Sequence, residues 1–478
     1  MEKCSPYLLF SSEKCSFVVV IFIEKCGNML YRKIEQIIYK HFTSKSDKVL
    51  VVTGARQIGK SFIIRHVARK LFKNVIEINL IEDYEGEKLF EKITTTEDFY
   101  LNLSMIAGAK MGSEKDTLVF LDEIQQYPHL LTMLKFLRQE HRFTYVVSGS
   151  LLGIALKATT SIPLGSIDIL RMYPLDFEEF MIANGVGEEA IAEMRRRFLA
   201  KESLDESAHD RILSLFKRYL LVGGLPEAVN AYLTTRNMVK IREIQRDIHN
   251  LYAIDASKYD ETHRLKIRRI YELIPSNMEN KKKRLVYKDI EGKTGKRSDD
   301  YIEEIDYLSA SGISLEVKAV SNPSFPLIES GQKNLIKLYL NDVGIMTGLL
   351  YRNNIRPVLD TECSVNLGAV YECVIAMELA AHDYKLYYYD NKAKGEVDYL
   401  IDDFATLKAV PLEIKSGKDY TVHSALNKLL ATPDYNISEG YVLSNNREVR
   451  ERNGVIYMPV YYIIFFNGSG ADEREILI

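Results

Sequence analysis

The sequence predicts an α/β chain of more than one domain: a parallel sheet covered by helices, then a helical segment, then a second α/β domain. Three observations carry this expectation. At 478 residues the chain is too long for a single core. From Met29 to about Val222, short apolar runs alternate with helix-period stretches, as parallel strands joined by crossover helices do. Finally, Gly54-Ala55-Arg56-Gln57-Ile58-Gly59-Lys60-Ser61 follows the apolar run Val49 to Val52 and precedes Lys60 to Phe72, whose Ile63, Ile64, Val67, Ala68 and Leu71 recur at helical spacing. A strand delivers that loop and a helix leaves it.

The eight residues form a complete G-x-x-x-x-G-K-[ST] phosphate loop. Gly54 and Gly59 let the backbone turn its N–H groups toward the β- and γ-phosphates, and the helix N-terminus adds positive potential. Lys60 neutralises charge and the Ser61 hydroxyl can hold Mg²⁺. Ala55, Arg56, Gln57, Ile58 and the helix-opening Phe62 complete the expected contact set for a nucleoside triphosphate, read as ATP.

A composition of 46% hydrophobic and 27% charged residues is that of a globular protein. The net charge of −3 gives no overall attraction to nucleic acid, so any such contact needs a local patch. Five cysteines without paired spacing make neither a disulfide framework nor a zinc site; this points to a reducing compartment and a cytoplasmic chain with no membrane partner. Residues 1–28 stand apart, because Glu-Lys-Cys recurs at 2–4, 13–15 and 24–26 and the apolar run Phe17 to Ile23 is too short to span a bilayer. They read as a non-native or disordered leader before a start at Met29, with a short membrane-associating tail as the alternative.

Strands are expected at Val49 to Thr53, Asn74 to Leu80, Thr117 to Leu121, Phe143 to Val147 and Ile167 to Met172. The third runs into Asp122-Glu123, which puts two acids at the carboxyl edge of the sheet, where a nucleotide faces it. Asp122 is expected in the Mg²⁺ shell and Glu123 as the base that polarises the attacking water. The fourth strand ends in Ser148-Gly149-Ser150, whose hydroxyls would reach the γ-phosphate; a plain Ser/Gly turn explains the same residues. A strand inserted between the phosphate-loop strand and the acid strand would make this the AAA-like branch of phosphate-loop ATPases.

Together, Gly54 to Ser61, Phe120-Leu121-Asp122-Glu123-Ile124-Gln125, Val147 to Ser150, Tyr173-Pro174-Leu175-Asp176-Phe177-Glu178-Glu179-Phe180 and Gly223-Gly224-Leu225-Pro226-Glu227 resemble a large prokaryotic family. Its members are AAA-type ATP-binding proteins with a C-terminal domain of uncharacterised function. The resemblance spans Met29 to the C-terminus. Many members carry a basic residue after the Pro-x-Gly that precedes the fifth strand, whereas Ser166 follows Pro163-Leu164-Gly165 here. If that base senses the γ-phosphate, Arg171 is a positional substitute, against the plainer reading of a surface arginine at a strand end.

Beyond Gly223-Gly224, helices Leu225 to Leu233 and Met238 to Ala256 read as a lid or linker. A winged-helix pattern follows, with helices Leu285 to Gly292 and Ser298 to Ala310, a strand Leu315 to Val320 and a wing tip at Asn322-Pro323. Lys281-Lys282-Lys283-Arg284, with Lys293, Lys296 and Arg297, could bind phosphates. Asp299, Asp300, Glu303, Glu304 and Asp306 on the second helix argue against base readout, so the module reads as structural or partner-binding with a basic edge.

The last segment is expected to run from a helix, Val365 to Ala381, through strands near Leu386 to Tyr389, Val397 to Ile401 and Ala409 to Lys415, to a helix at His423 to Leu430 and a strand Tyr441 to Ser444. Glu372 lies on the first helix, Asp398 on one strand and Glu413-Ile414-Lys415 on the next. Residues two apart on a strand face the same side, so Glu413 and Lys415 point together. Asp398 and Glu413 can share a divalent cation while Lys415 stabilises developing negative charge, a metal-assisted phosphodiester cleavage. The arrangement resembles the restriction-endonuclease-like PD-(D/E)XK core, without its leading proline, since Glu396-Val397 precedes Asp398. The bland reading is the solvated face of a strand.

The expected plan is a leader (1–28), an AAA-like ATPase domain (29–222), a helical lid with a winged-helix-like domain (223–350) and a nuclease-like domain (351–478). The first functional expectation is a Mg²⁺-dependent ATPase, with Lys60 and Glu123 catalytic, coupled to DNA or RNA handling at Asp398, Glu413 and Lys415. The other is an ATP-dependent switch that assembles with itself or recruits a protein partner, its C-terminal domain inactive.

Overall fold

The computed structural model of the chain describes residues 29–44, 46–112, 114–150, 164–256, 263–292, 294–360, 365–417 and 419–468. The expected leader 1–28 lies outside them, as do Pro163 and Lys293.

β1 (Val49–Thr53), β2 (Asn74–Asn79), β3 (Thr117–Asp122), β4 (Thr144–Gly149) and β5 (Ile167–Arg171) form one sheet in the order β2-β3-β4-β1-β5, every pairing parallel. β1 and β3 are buried along their whole length, as unbroken apolar runs require when helices cover both faces. Alternate residues enter opposite cores. Leu50 and Val52 pack with the phosphate-loop helix Lys60–Leu71, whereas Val49 and Val51 pack with Phe99, Leu103, Leu130 and Leu134 of helices Thr96–Ala107 and His129–Gln139. β4 lies between β1 and β3, the arrangement expected of an AAA-like sheet. Because all five strands run the same way, the phosphate loop, Asp122-Glu123 and Ser148 to Ser150 leave one common edge.

β6 (Ser314–Val320), β7 (Gly331–Leu340), β8 (Tyr387–Asn391), β9 (Gly395–Asp403), β10 (Lys408–Lys415), β11 (Gly440–Ser444), β12 (Arg450–Arg452) and β13 (Val455–Pro459) form a second, mixed sheet in the order β12-β13-β11-β10-β9-β8-β6-β7. This differs from a freestanding winged helix. β6 pairs antiparallel with β7 but also parallel with β8, from Lys318 opposite Tyr387 to Val320 opposite Tyr389, so the expected wing ends the sheet of the last segment. Burial explains the difference: Val317, Ala319 and Val320 are fully enclosed, whereas a free wing leaves one face in water. The two helices expected before the wing are the short Tyr287–Glu291 and Ile302–Ala310, the second entered through a 3-10 turn at Ser298–Tyr301.

Helices Glu206–Val222, Met238–Ala256, Arg264–Glu279, Val343–Tyr351 and Gly368–Ala381 share one apolar core with a face of the first sheet. Phe177 against Phe216 (ring centroids 5.1 Å apart) and Phe216 against Tyr371 (5.9 Å) carry that core from the first sheet to the last segment. Among the described residues no helix is long and apolar enough to cross a membrane.

Candidate nucleotide site and carboxylate cluster

The phosphate loop leaves β1 and closes at Gly59, whose φ of +95° is open to glycine and strained for a side chain. Ala55 and Ile58 are buried, so they meet a ligand through the backbone alone, while Gln57 and Phe62 stand exposed at the rim. Lys60 is 5% exposed and folds back on its own loop, donating to the Gly54 carbonyl at 2.9 Å and the Ala55 carbonyl at 2.7 Å. Burial pushes its ammonium down, and the Glu123 and Asp122 charges partly offset this. Ser61 Oγ donates to Asp122 Oδ2 at 2.6 Å, and Ser148 Oγ donates to Asp122 Oδ1. The hydroxyl and carboxylate expected around Mg²⁺ are therefore adjacent, an oxygen pair of the kind this ion takes alongside phosphates and water. Among the described residues, no three His, Cys, Asp or Glu side chains converge to hold a metal by themselves.

Glu123 follows β3 in a left-handed conformation, φ +59°. One carboxylate oxygen accepts from Gln125 Nε2 and from Ser150 Oγ at 3.1 Å. Burial would push the Glu123 carboxyl up, but the Lys60 ammonium, the Gln125 bond and the Arg56 charge together hold it below the usual carboxylate range. The carboxylate is held in its ionised form.

The far side of the loop is covered by distant chain. Arg56 Nη1 pairs with Asp255 Oδ1 at 2.9 Å, and the Tyr252 hydroxyl donates to the Arg56 carbonyl at 2.8 Å. The expected lid helix, Met238–Ala256, thus touches the loop with its last turn. Gly312, between Ile302–Ala310 and β6, approaches the Ala55 nitrogen so closely that a Cβ there would stand 3.1 Å away. From upstream, Arg32 donates to the Ile58 carbonyl at 3.0 Å. Spacing could not reveal these partners, which lie between 26 and 199 positions from the residues they bond. Arg171 donates to the Ser309 carbonyl at 2.6 Å and stacks over Tyr173, so it fastens β5 to the helix Ile302–Ala310.

In the second sheet, the Gly368–Ala381 helix, β9 and β10 bring Glu372, Asp398 and Glu413 together. Glu372 accepts from Lys283 and, at 2.8 Å, from the Tyr339 hydroxyl; the buried Lys337 ammonium is 3.6 Å away. Burial would raise the Glu372 carboxyl, but Lys337 and Lys283 hold it below its usual range. Asp398 accepts from the Ile414 N–H at 2.7 Å, and burial beside Glu372 and Glu413 pushes its carboxyl well above the usual range. Lys415 bonds one Glu413 oxygen at 2.7 Å, as the two-residue spacing along a strand implies. The other Glu413 oxygen is buried without a hydrogen-bond partner; burial pushes Glu413 up and Lys415 opposes it. That orphaned oxygen and the half-buried Asp398 carboxyl stand on neighbouring strands, and among the described residues no three-ligand cluster forms there to hold a metal unaided.

The basic edge is smaller than the sequence suggests. Lys283 turns in to the buried Glu372, and Arg284 pairs with the half-buried Asp390 at 2.8 Å and Glu396 at 3.1 Å, so neither is free for an outside phosphate. Lys281 and Lys282 remain exposed.

Residues 46–181 match the AAA domain family, residues 213–355 a domain of unknown function (DUF8612) and residues 367–463 another (DUF4143). No curated protein matches. Solved structures similar to the chain include the Walker-type ATPase PABY2304 of Pyrococcus abyssi, at 13% identity over 67% of this chain and 96% of that one, with a TM-score of 0.41. The RuvB Holliday junction branch migration motor of Thermotoga maritima is 16% identical over 60% of this chain and 89% of its own, with a TM-score of 0.28. Cdc6p from Pyrobaculum aerophilum is 13% identical over 71% and 97%, with a TM-score of 0.26. The AAA match and the strand order make the first sheet an AAA-type, phosphate-loop ATPase-like domain.

Proposed function

We propose that the chain binds ATP with Mg²⁺ at Gly54 to Ser61 and hydrolyses it, and that this cycle serves nucleic-acid handling through the C-terminal carboxylate cluster. The observation that carries the first part is the Ser61–Asp122 pair at 2.6 Å, beside an ionised Glu123 and a buried Lys60. Ser61 and Asp122 would hold Mg²⁺, which supplies charge neutralisation on the phosphate oxygens. Lys60 exchanges the Gly54 and Ala55 carbonyls for phosphate oxygens, and the loop N–H groups bind the rest. Glu123 takes the proton from the attacking water, with Gln125 and Ser150 holding its carboxylate in place. At the second cluster, Asp398 and Glu413 would hold a divalent cation, with Lys415 at hand for developing negative charge.

Phosphate release tests the first part. Glu123→Gln is expected to lower kcat by roughly 10²- to 10⁴-fold, and Lys60→Ala to abolish nucleotide binding; full turnover in Glu123→Gln rejects the assignment. Cleavage of single- and double-stranded DNA and RNA with Mg²⁺ or Mn²⁺, with and without ATP, tests the second, and Asp398→Ala should abolish it.

One observation favours the other reading, an ATP-dependent switch that recruits a protein partner. Lys283 and Lys337 already neutralise Glu372, as in a cluster kept for structure. Turnover without cleavage on any of those substrates selects it.

A further inference from the structure

The motif Tyr173 to Phe180 has no part in the chemistry above, yet it holds one upstream arginine against the phosphate loop. Arg32, 7% exposed, has three acceptors: Nη1 donates to the Ile58 carbonyl at 3.0 Å, Nη2 to the Tyr173 carbonyl at 2.7 Å, and Nε to Glu179 at 3.1 Å. Glu179 is itself fixed. It closes a capping box with Asp176 at the start of helix Phe177–Ala183, and its other oxygen accepts from the Lys33 N–H at 2.7 Å. Lys33 Nζ in turn pairs with Asp176 at 2.7 Å and Glu178 at 2.8 Å. Arg32 lies ahead of the 46–181 match, so nothing in that match marks it.

The consequence rests on peptide geometry. In a planar trans peptide the C=O and the following N–H point in opposite directions. A guanidinium that fixes the Ile58 carbonyl on the buried side therefore fixes the Gly59 N–H on the other, toward the mouth of the loop. Gly59 precedes the helix Lys60–Leu71, so its N–H has no place in the helical ladder and is a donor for an incoming anion. Gly59 at φ +95° has more than one backbone conformation open to it, and a peptide with that freedom needs an outside hold.

We propose that Arg32 is a positioning residue of the phosphate loop, which aims the Gly59 N–H at a polyphosphate through its bond to the Ile58 carbonyl and is itself held by the Tyr173 to Phe180 motif. This rests on the nucleotide-binding reading. Of the two phosphates the loop faces, the β-phosphate is the one ADP retains; an N–H bonded to it is engaged before and during hydrolysis alike, so its loss weakens binding and leaves the chemical step alone.

The test uses the full chain. Steady-state phosphate release gives KM and kcat for ATP, and titration calorimetry gives affinities for ADP and for inorganic pyrophosphate. Arg32→Met is expected to raise KM and weaken both ligands by roughly 10- to 100-fold, with kcat within about threefold of wild type. Glu179→Gln, which loosens the guanidinium, should shift the same quantities in the same direction by less. If Arg32→Met does not fold, Arg32→Lys carries the test, because an ammonium cannot serve all three acceptors: KM should rise at unchanged kcat. Unchanged KM and unchanged ADP and pyrophosphate affinity in a folded variant overturn the inference and leave Arg32 a fastener of its own segment. Wild-type protein that shows no Lys60-dependent ADP binding overturns the nucleotide reading as well, and so separates the two failures.

Discussion

Lys60 and Glu123 act on each other's ionisation across the phosphate loop, and Glu123 carries the clearer consequence. A carboxyl held below its usual range stays ionised as pH falls through that range, and loses its charge only at the lower folded value. The acid limb of kcat/KM for phosphate release is therefore expected below the ordinary carboxylate region. Gln125→Ala and Ser150→Ala each remove a bond to the ionised form and should move the limb to higher pH; identical limbs in wild type and both variants reject the role assigned to these bonds. At this scale the sequence shows what chemistry needs at fixed spacing. Gly54, Gly59, Lys60 and Ser61 are legible because one loop must hold them, and Asp122-Glu123 because a strand end must present them. Arg32, Tyr252 and Asp255 are not, because each meets the loop through tertiary contact that no local pattern encodes.

Among the elements, the helix Val343–Tyr351 is fastened by its own cap. Asp342 accepts from the Ile345 N–H at 2.9 Å and from the Gly224 N–H at 2.7 Å, which ties the Gly223-Gly224 turn to that helix. Burial, only partly opposed by those bonds, pushes the Asp342 carboxyl up to about 6. The folded state then binds a proton that the unfolded state has released, so its contribution is greatest below the unfolded value and is lost as pH rises through the folded one. Between about pH 4 and 6, wild type is expected to lose on the order of 3 kcal/mol of stability relative to Asp342→Asn. Denaturant melts across that window check this, and parallel pH profiles for the two proteins would reject it. Strands of the first sheet were readable because fully buried parallel strands are unbroken apolar runs. β6 and the turn after it were readable as a wing but not as part of the second sheet, since the partner β8 follows only after three more helices and alternation names a buried face without naming what covers it.

The molecule as a whole is joined by one core that runs from the first sheet through the central helices to the last segment. Such an interface is too apolar to let the parts melt separately. The full chain is expected to show one calorimetric transition, and a fragment ending at Val222 should fail to give a cooperative melt, because the buried Phe216 would lose Tyr371 and the rest of the core beyond Val222; two resolved transitions reject this. The sequence marked where the motifs lie but not this continuity. The Gly368–Ala381 helix shows what continuity implies. It carries Glu372 in the carboxylate cluster and Glu378, which accepts from the Phe177 N–H at 2.8 Å at the foot of the motif that braces Arg32. Six residues of helix put about 9 Å between the two glutamates. A strut that short transmits displacement without slack, so a ligand that moves one end should be felt at the other. If the proposed cation binds at Asp398 and Glu413, reciprocity makes the two effects equal: whatever factor ADP imposes on Mn²⁺ affinity, Mn²⁺ must impose on ADP.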